Sequence, residues 1–145
     1  HFLFIGKGPL KAAMEKKLAL ITNITFINRV SREEVRNYLD RVDFAYIAWH
    51  NQPLYDYGVA ANKYYDYMAS GTPILAAHHG INDLVQINKC GLHVKNEKEA
   101  VREGVKDLLE LSDEQHKAMG ELGREAVKSF TYENLAQRFI EVMER

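Results

Sequence analysis

The sequence predicts an α/β domain, an open parallel sheet with helices on both faces, and three observations carry that prediction. Five short apolar runs recur along the chain: "FLFI" (2–5), "ITFI" (24–27), "FAYIAW" (44–49), "PILAA" (73–77) and "GLHV" (91–94). The segments between them read mostly as helices, which is the βα alternation of a parallel sheet. The runs are nearly continuous in apolar residues rather than alternating, as strands buried on both faces require. With 145 residues, 46% of them hydrophobic, the chain reads as one domain over 1–145, long enough to bury roughly 70% of its unfolded surface.

Taken in order, the first strand runs into Gly6-x-Gly8-Pro9, and a helix start follows. Two glycines let the backbone turn sharply and approach a ligand closely, and Pro9 suits a first helical turn. A plain strand-to-helix turn accounts for the same residues. Ser31 with Glu34 can form a capping box ahead of "REEVRNYLD", where Val35, Tyr38 and Leu39 share a face. Ser112 with Gln115 starts another helix, and Thr131 caps a last one whose apolar stripe carries Leu135, Phe139, Val142 and Met143. After residue 95 the pattern is almost purely helical, with no repeat, no low-complexity linker and no internal boundary.

Charge and cysteine content narrow the function classes. Lysine and arginine number 19 against 20 aspartates and glutamates, so no global field draws the chain to nucleic acid or to an anionic membrane. An anion recognised here has to be held locally. Cys90 is the single cysteine, which excludes an internal disulfide and a thiol pair for zinc, and a reducing, cytoplasmic setting is expected. No apolar run approaches the ~20 residues of a membrane span. The start "HFLFIGKGPL" lacks the features of a signal peptide, so the Asn23-Ile24-Thr25 sequon reads as incidental. The chain opens directly in a strand without a methionine, and reads as a piece of something longer.

The strongest candidate site is "GVAANKYYDYMASGTPILAAHHG", residues 58–80. In open α/β sheets ligands gather at the carboxyl ends of the strands, where a helix N-terminus offers unpaired amides and partial positive charge. Gly58 to Lys63 is placed to supply this, and within it Ala60 and Ala61 are too small to block a phosphate approaching the backbone. Asn62 can donate an amide hydrogen bond, and Lys63 adds a point charge. Asp66, one turn beyond Lys63, can accept from two ribose hydroxyls. The same spacing also describes a surface ion pair worth ~0.3 kcal/mol, with Tyr64, Tyr65, Tyr67 and Met68 facing the core. In "AAHHGINDLV" (76–85) the strand, Gly80 and helix start repeat the arrangement, with Asp83 expected in the first helical turn. Adjacent His78 and His79 point different ways and complete no metal spacing, so hydrogen bonding near a sugar is the expected role.

Five segments in this order resemble the C-terminal half of retaining group 1 glycosyltransferases of the GT-B fold. They are "FLFIGKGPL", "ITFINRVSREEVRNYLDRVDFAYIAW", "YYDYMASGTPILAAHHGINDLV", "CGLHV" and "MGELGREAVKSFTYENLAQRF". Through "ANKYYDYMASGTPIL" the chain is most similar to members acting on bacterial surface polysaccharides. The resemblance implies a Rossmann-like donor domain facing an acceptor domain across a cleft. It implies transfer from a nucleotide-sugar, most often a UDP-sugar, with no metal and no further cofactor. A saccharide or lipid-linked acceptor would be held by the other domain, and a peripheral position at the membrane is compatible with it.

Residue by residue, the resemblance puts Asp66 where the family has the second glutamate of a paired motif, a ribose binder. Gly58 falls where the first glutamate is usual, a departure that leaves the donor sugar open. Ala60, Ala61 and Asn62 match the loop whose amides meet the diphosphate, and Lys63 adds charge. Arg29 and Val30 match a segment near the base, and Gly6 and Gly8 the first glycine turn. His79 and Gly80 stand at the usual Gly-Gly, and Asp83 at the usual glutamate. A sugar-nucleotide epimerase, a phosphorylase-like enzyme on the same fold, and a non-catalytic nucleotide-binding module are the competing expectations.

Overall fold

In a computed structural model, residues 1–57, 59, 61–81 and 83–144 are described. The chain forms two units, His1–Tyr38 and Leu39–Arg145, and each is taken by itself.

In the first unit, strand β1 (Phe2–Ile5) pairs in parallel with β2 (Ile24–Ile27), Phe2 opposite Ile24 and Ile5 opposite Ile27. Helix α1 (Lys11–Leu18) connects them. Pro9 lies in the turn before α1 rather than in its first turn, since the glycine turn spends two more residues before helical geometry begins. Phe4 stacks on Phe26 with ring centroids 5.2 Å apart. Helix α2 (Arg32–Leu39) starts at the expected capping box: the Ser31 amide donates to Glu34 Oε2 at 2.9 Å, and the Glu34 amide donates to Ser31 Oγ at 3.2 Å. Those bonds hold the Glu34 carboxyl below the usual carboxylate range. None of residues 1–38 is fully buried, because two short strands and short helices cannot enclose a core alone.

The second unit carries β3 (Ala45–Ala48), β4 (Ile74–Ala77) and β5 (Gly91–Val94), parallel and in that spatial order. Ala45 lies opposite Ile74, and Ile74 opposite Gly91. The runs at 44–49 and 73–77 are thus trimmed to four residues each, and the parallel pairing is as the sequence predicts. The ladders divide into a pair and a triple rather than one five-stranded ladder. Central β4 is buried along its whole length. Burying side chains the size of Ile74 and Leu75 is worth about 1.5–3 kcal/mol each.

Around this sheet come a 3-10 turn (Pro53–Tyr57), α3 (Asn62–Ser70), α4 (Leu84–Asn88), α5 (Lys98–Leu109), α6 (Asp113–Val127) and α7 (Tyr132–Met143). The core joins Ile47, Tyr64, Met68, Ile74, Ala76, Val85 and Cys90. Helix α3 ends at Gly71, whose φ of 73° suits glycine and lets its amide close on Met68 O. That ending brings the Gly71 carbonyl against Gly120 of α6, where a Cβ would collide with it. Ser112 and Gln115 form the predicted capping box of α6, and Thr131 caps α7. The apolar stripe of α7 is exposed, with Phe139, Val142 and Met143 most open.

Candidate nucleotide-binding site

Three loops leave the carboxyl ends of β3, β4 and β5 and are held together there. Asn96 Nδ2 donates to Trp49 O at 2.9 Å, and His79 Nε2 lies 3.5 Å from Glu97 Oε1. His93, in β5, reaches His78 O through Nε2 at 3.2 Å. Its ring also packs 4.3 Å from that of His78, and burial, with the His78 ring beside it, pushes the His93 pKa down. Its Nδ1 lies 3.3 Å from the Gln86 side-chain oxygen, so His93 links the end of β4 to α4.

Helix α3 starts at this edge. Its N-cap, Ala61, is extended and supplies no capping side chain, and no acidic residue stands in the first turn. This is unusual in the chain: α2, α4, α6 and α7 are each capped by a side chain. Only α1 shares both features with α3 among the described helices. An uncapped start leaves amides of the first turn open to an anion. Asn62 and Lys63 are exposed there. Asp66 is half-buried, and its charge, after burial, helps push the Tyr67 phenol up.

Helix α4 is built the opposite way. Asp83 is its N-cap rather than part of its first turn, with Oδ1 accepting from the amides of Val85 at 2.8 Å and Gln86 at 3.2 Å. Asp83 Oδ2 accepts from Tyr64 OH and from His78 Nε2, each at 2.8 Å. The Gly80 amide donates to His78 Nδ1 at 3.0 Å, so the ring proton of His78 is on Nε2 and the ring is neutral. Trp49 Nε1 donates to Tyr64 OH at 3.4 Å. Asp83 is 3% exposed, His78 2% and Tyr64 0%, so this is a buried carboxylate satisfied by four donors. Burial is the first cause that drives the Tyr64 phenol far above its ordinary range.

This geometry revises the expectation for the paired histidines. His78 has both ring nitrogens engaged inside the protein and offers none to a sugar, whereas His79 is partly exposed beside Glu97. The Gly80 amide is likewise spent on His78. The parts played by Tyr64 and Trp49 are not visible in the sequence, where both read as core residues. An aspartate following a histidine by five positions carries no pattern that would have flagged them.

The remaining candidates fall into separate groups. Ala61, Asn62, Lys63 and Asp66 are brought together at the α3 start of the second unit. Gly58 and Ala60 lie outside the described residues. Gly6, Gly8, Arg29 and Val30 belong to the first unit, after β1 and β2. There Gly6, with φ of 147°, donates its amide to Ile27 O at 3.1 Å, a backbone shape that favours glycine. Lys11 Nζ bridges Ile27 O at 2.9 Å and Asn28 Oδ1 at 2.7 Å, fixing the loop that leads to exposed Arg29. At the opposite, amino ends of β3 and β4 is a groove of about 530 Å³. Its Thr72, His116 and Arg124 are bound to Leu39 O, Leu108 O and Ser70 O.

Parallel strands whose carboxyl edge gathers three loops beside an uncapped helix start form the arrangement in which open α/β sheets receive anionic ligands. Comparison with known proteins gives the class a family. Residues 1–111 match the family model described as "Glycosyl transferases group 1", and the chain belongs to that family. No curated protein matches the chain. Among solved structures it is similar to WaaG, a glycosyltransferase involved in lipopolysaccharide biosynthesis, at 17% identity and a TM-score of 0.67, over 88% of this chain and 33% of that one. Sucrose-phosphate synthase from Thermosynechococcus elongatus gives 19% identity and a TM-score of 0.74, over 98% of this chain and 37% of that one. TarM gives 17% and 0.72, over 99% and 28%. These likenesses bear out the α/β class and the GT-B fold. The chain spans about a third of the length of those structures. No helix among the described residues is long and apolar enough to cross a membrane.

Proposed function

We propose that the chain is the donor-binding domain of a retaining glycosyltransferase, taking its sugar from a nucleotide-sugar, with UDP as the nucleotide. The observation that carries this reading is the start of α3: no capping side chain, no acid in its first turn and an exposed Lys63, at the carboxyl edge of β3 and β4. Transfer leaves negative charge on the departing nucleoside diphosphate, and donors aimed at that charge lower the barrier more than they strengthen the ground state. The amides beside Ala61 and Asn62 and the ammonium of Lys63 would supply them. Asp66 would accept from the ribose hydroxyls, and Gly58 and Ala60 would line the same loop. Gly6, Gly8, Arg29 and Val30 remain candidates within the first unit, and the reading does not depend on them.

A saccharide or lipid-linked acceptor would be held by a further domain, in the synthesis of a bacterial surface polysaccharide on the cytoplasmic side. The naming of WaaG for lipopolysaccharide biosynthesis supports that choice by likeness. No catalytic side chain and no cofactor besides the substrate are proposed for this chain. Because positioning of both reactants can account for ~7 to 11 kcal/mol of a barrier, residues 1–145 alone should bind donor without transferring it.

Calorimetry with UDP and GDP tests the reading. Heat from either, at up to millimolar ligand and abolished by high salt, is expected; no heat with either would overturn it.

A further inference from the structure

We infer that Asp83 is the positioning residue of the donor site, an inference that rests on the donor-binding reading above. Asp83 meets no ligand. Its carboxylate ties together the pieces that would. Oδ1 caps α4 through the amides of Val85 and Gln86, while Oδ2 holds Tyr64 of the first turn of α3 and His78 at the end of β4, both at 2.8 Å. Tyr64 directly follows Lys63. Any turn of α3 about its axis, or slide along it, breaks the phenol's bond and moves the Lys63 ammonium and the neighbouring amides.

Two further contacts brace the hub. His78 Nδ1 accepts the Gly80 amide at 3.0 Å, which fixes the loop after β4. Trp49 Nε1 reaches the Tyr64 oxygen at 3.4 Å, which adds the end of β3. An apolar core needs none of this, since phenylalanine at position 64 would fill the same volume without burying a hydroxyl beside a carboxylate. Buried polar clusters that are fully satisfied select one arrangement of the elements they join. Here the arrangement selected is that of the helix start and the two strand ends around it.

Asp83→Asn and Tyr64→Phe separate positioning from folding. Asp83→Asn keeps an oxygen for the α4 amides but turns an NH2 toward the Tyr64 and His78 donors. Tyr64→Phe removes a single hydroxyl, and it carries the test if Asp83→Asn does not fold. The readouts are the melting temperature, amide exchange at residues 65–67 and calorimetric affinity for UDP and GDP. The acceptors of those amides lie in the first turn of α3. In the full-length enzyme, kcat and KM for the donor are added.

Faster exchange at residues 65–67 in a folded variant is expected, with nucleotide affinity falling by about tenfold to a hundredfold and donor KM rising more than kcat falls. Variants that bind as the parent does, or that lose affinity only in proportion to lost folding, overturn the inference and leave the donor reading standing. A parent chain that binds neither nucleotide while Asp83→Asn still changes exchange at α3 overturns the donor reading, and the positioning role falls with it.

Discussion

His78 and Asp83 form a hydrogen bond between a neutral imidazole and a buried carboxylate, not an ion pair. The Gly80 amide occupies His78 Nδ1 at 3.0 Å, so Nε2 carries the proton that reaches Asp83 Oδ2 at 2.8 Å. The carboxylate is then balanced by dipoles, among them the start of α4, and not by a counter-charge.

Removing that carboxylate leaves several donors stranded. Asp83→Ala takes the partners from Tyr64 OH, His78 Nε2 and the α4 amides at once. Stranded buried donors cost about 1–3 kcal/mol each, and a lost N-cap ~1 kcal/mol. Urea denaturation should show a loss of about 3 kcal/mol or more. A loss under ~1 kcal/mol would mean that water reaches the cluster and satisfies it.

Lys63 and Asp66 should fail differently in the full-length enzyme. Lys63→Ala should cost about tenfold or more in nucleoside diphosphate affinity and lower kcat, since a charge-assisted bond is worth ~1.5–3 kcal/mol and matters most as the leaving group forms. Asp66→Ala should mainly raise donor KM. Steady-state kinetics across donor concentrations check both, and unchanged constants in the two variants would return these residues to the solvated surface.

Cys90 is 1% exposed, and burial, its first cause, pushes the thiol pKa up to about 11. The folded chain therefore binds this proton more tightly than the unfolded chain, whose thiol titrates near ~8.5. The stability it contributes is complete below that value and is lost as pH rises toward about 11. Ellman's reagent at pH ~8 should react fully only after unfolding, and Cys90→Ala should flatten the alkaline fall in melting temperature. Rapid labelling of the native chain would contradict the burial.

Gly120→Ala puts a methyl group where the Gly71 carbonyl already stands. The crossing of α3 and α6 must then open, at about 1–3 kcal/mol. A thermal melt checks it. Gly8→Ala, which has nothing near it, is the matched control.

The sequence exposes the strands and most helix starts because those signals are local. Apolar runs, Ser31 with Glu34, Ser112 with Gln115 and Thr131 each state their geometry within four residues. The start of α3 is legible for the same reason: small residues, then Asn62 and Lys63, with no acid. What is not legible depends on convergence in space. His78 and Asp83 are near neighbours in the chain, but Tyr64 precedes them by more than a dozen residues and Trp49 precedes Tyr64 by as much again. Only the stacking of β3 beside β4 turns three core-like residues and one helix cap into a single cluster. The division of the ladders into a pair and a triple was equally hidden, because short apolar runs do not say which neighbours they pair with.

The wholly buried β4 also sets the order of events as the chain folds. A parallel strand has no hairpin partner to start from, and Ile74 must find Ala45 on one side and Gly91 on the other across intervening helices. Loop-closure entropy is spent on both flanks before either contact rewards it. The capping box of α6 is satisfied within four residues, whereas β4 pairs on both sides with strands distant in the chain. Until they arrive, Ile74–Ala77 is an apolar, uncharged stretch with open hydrogen-bonding edges. The segment that is safest in the finished protein is the one most exposed to mispairing while the chain is being made.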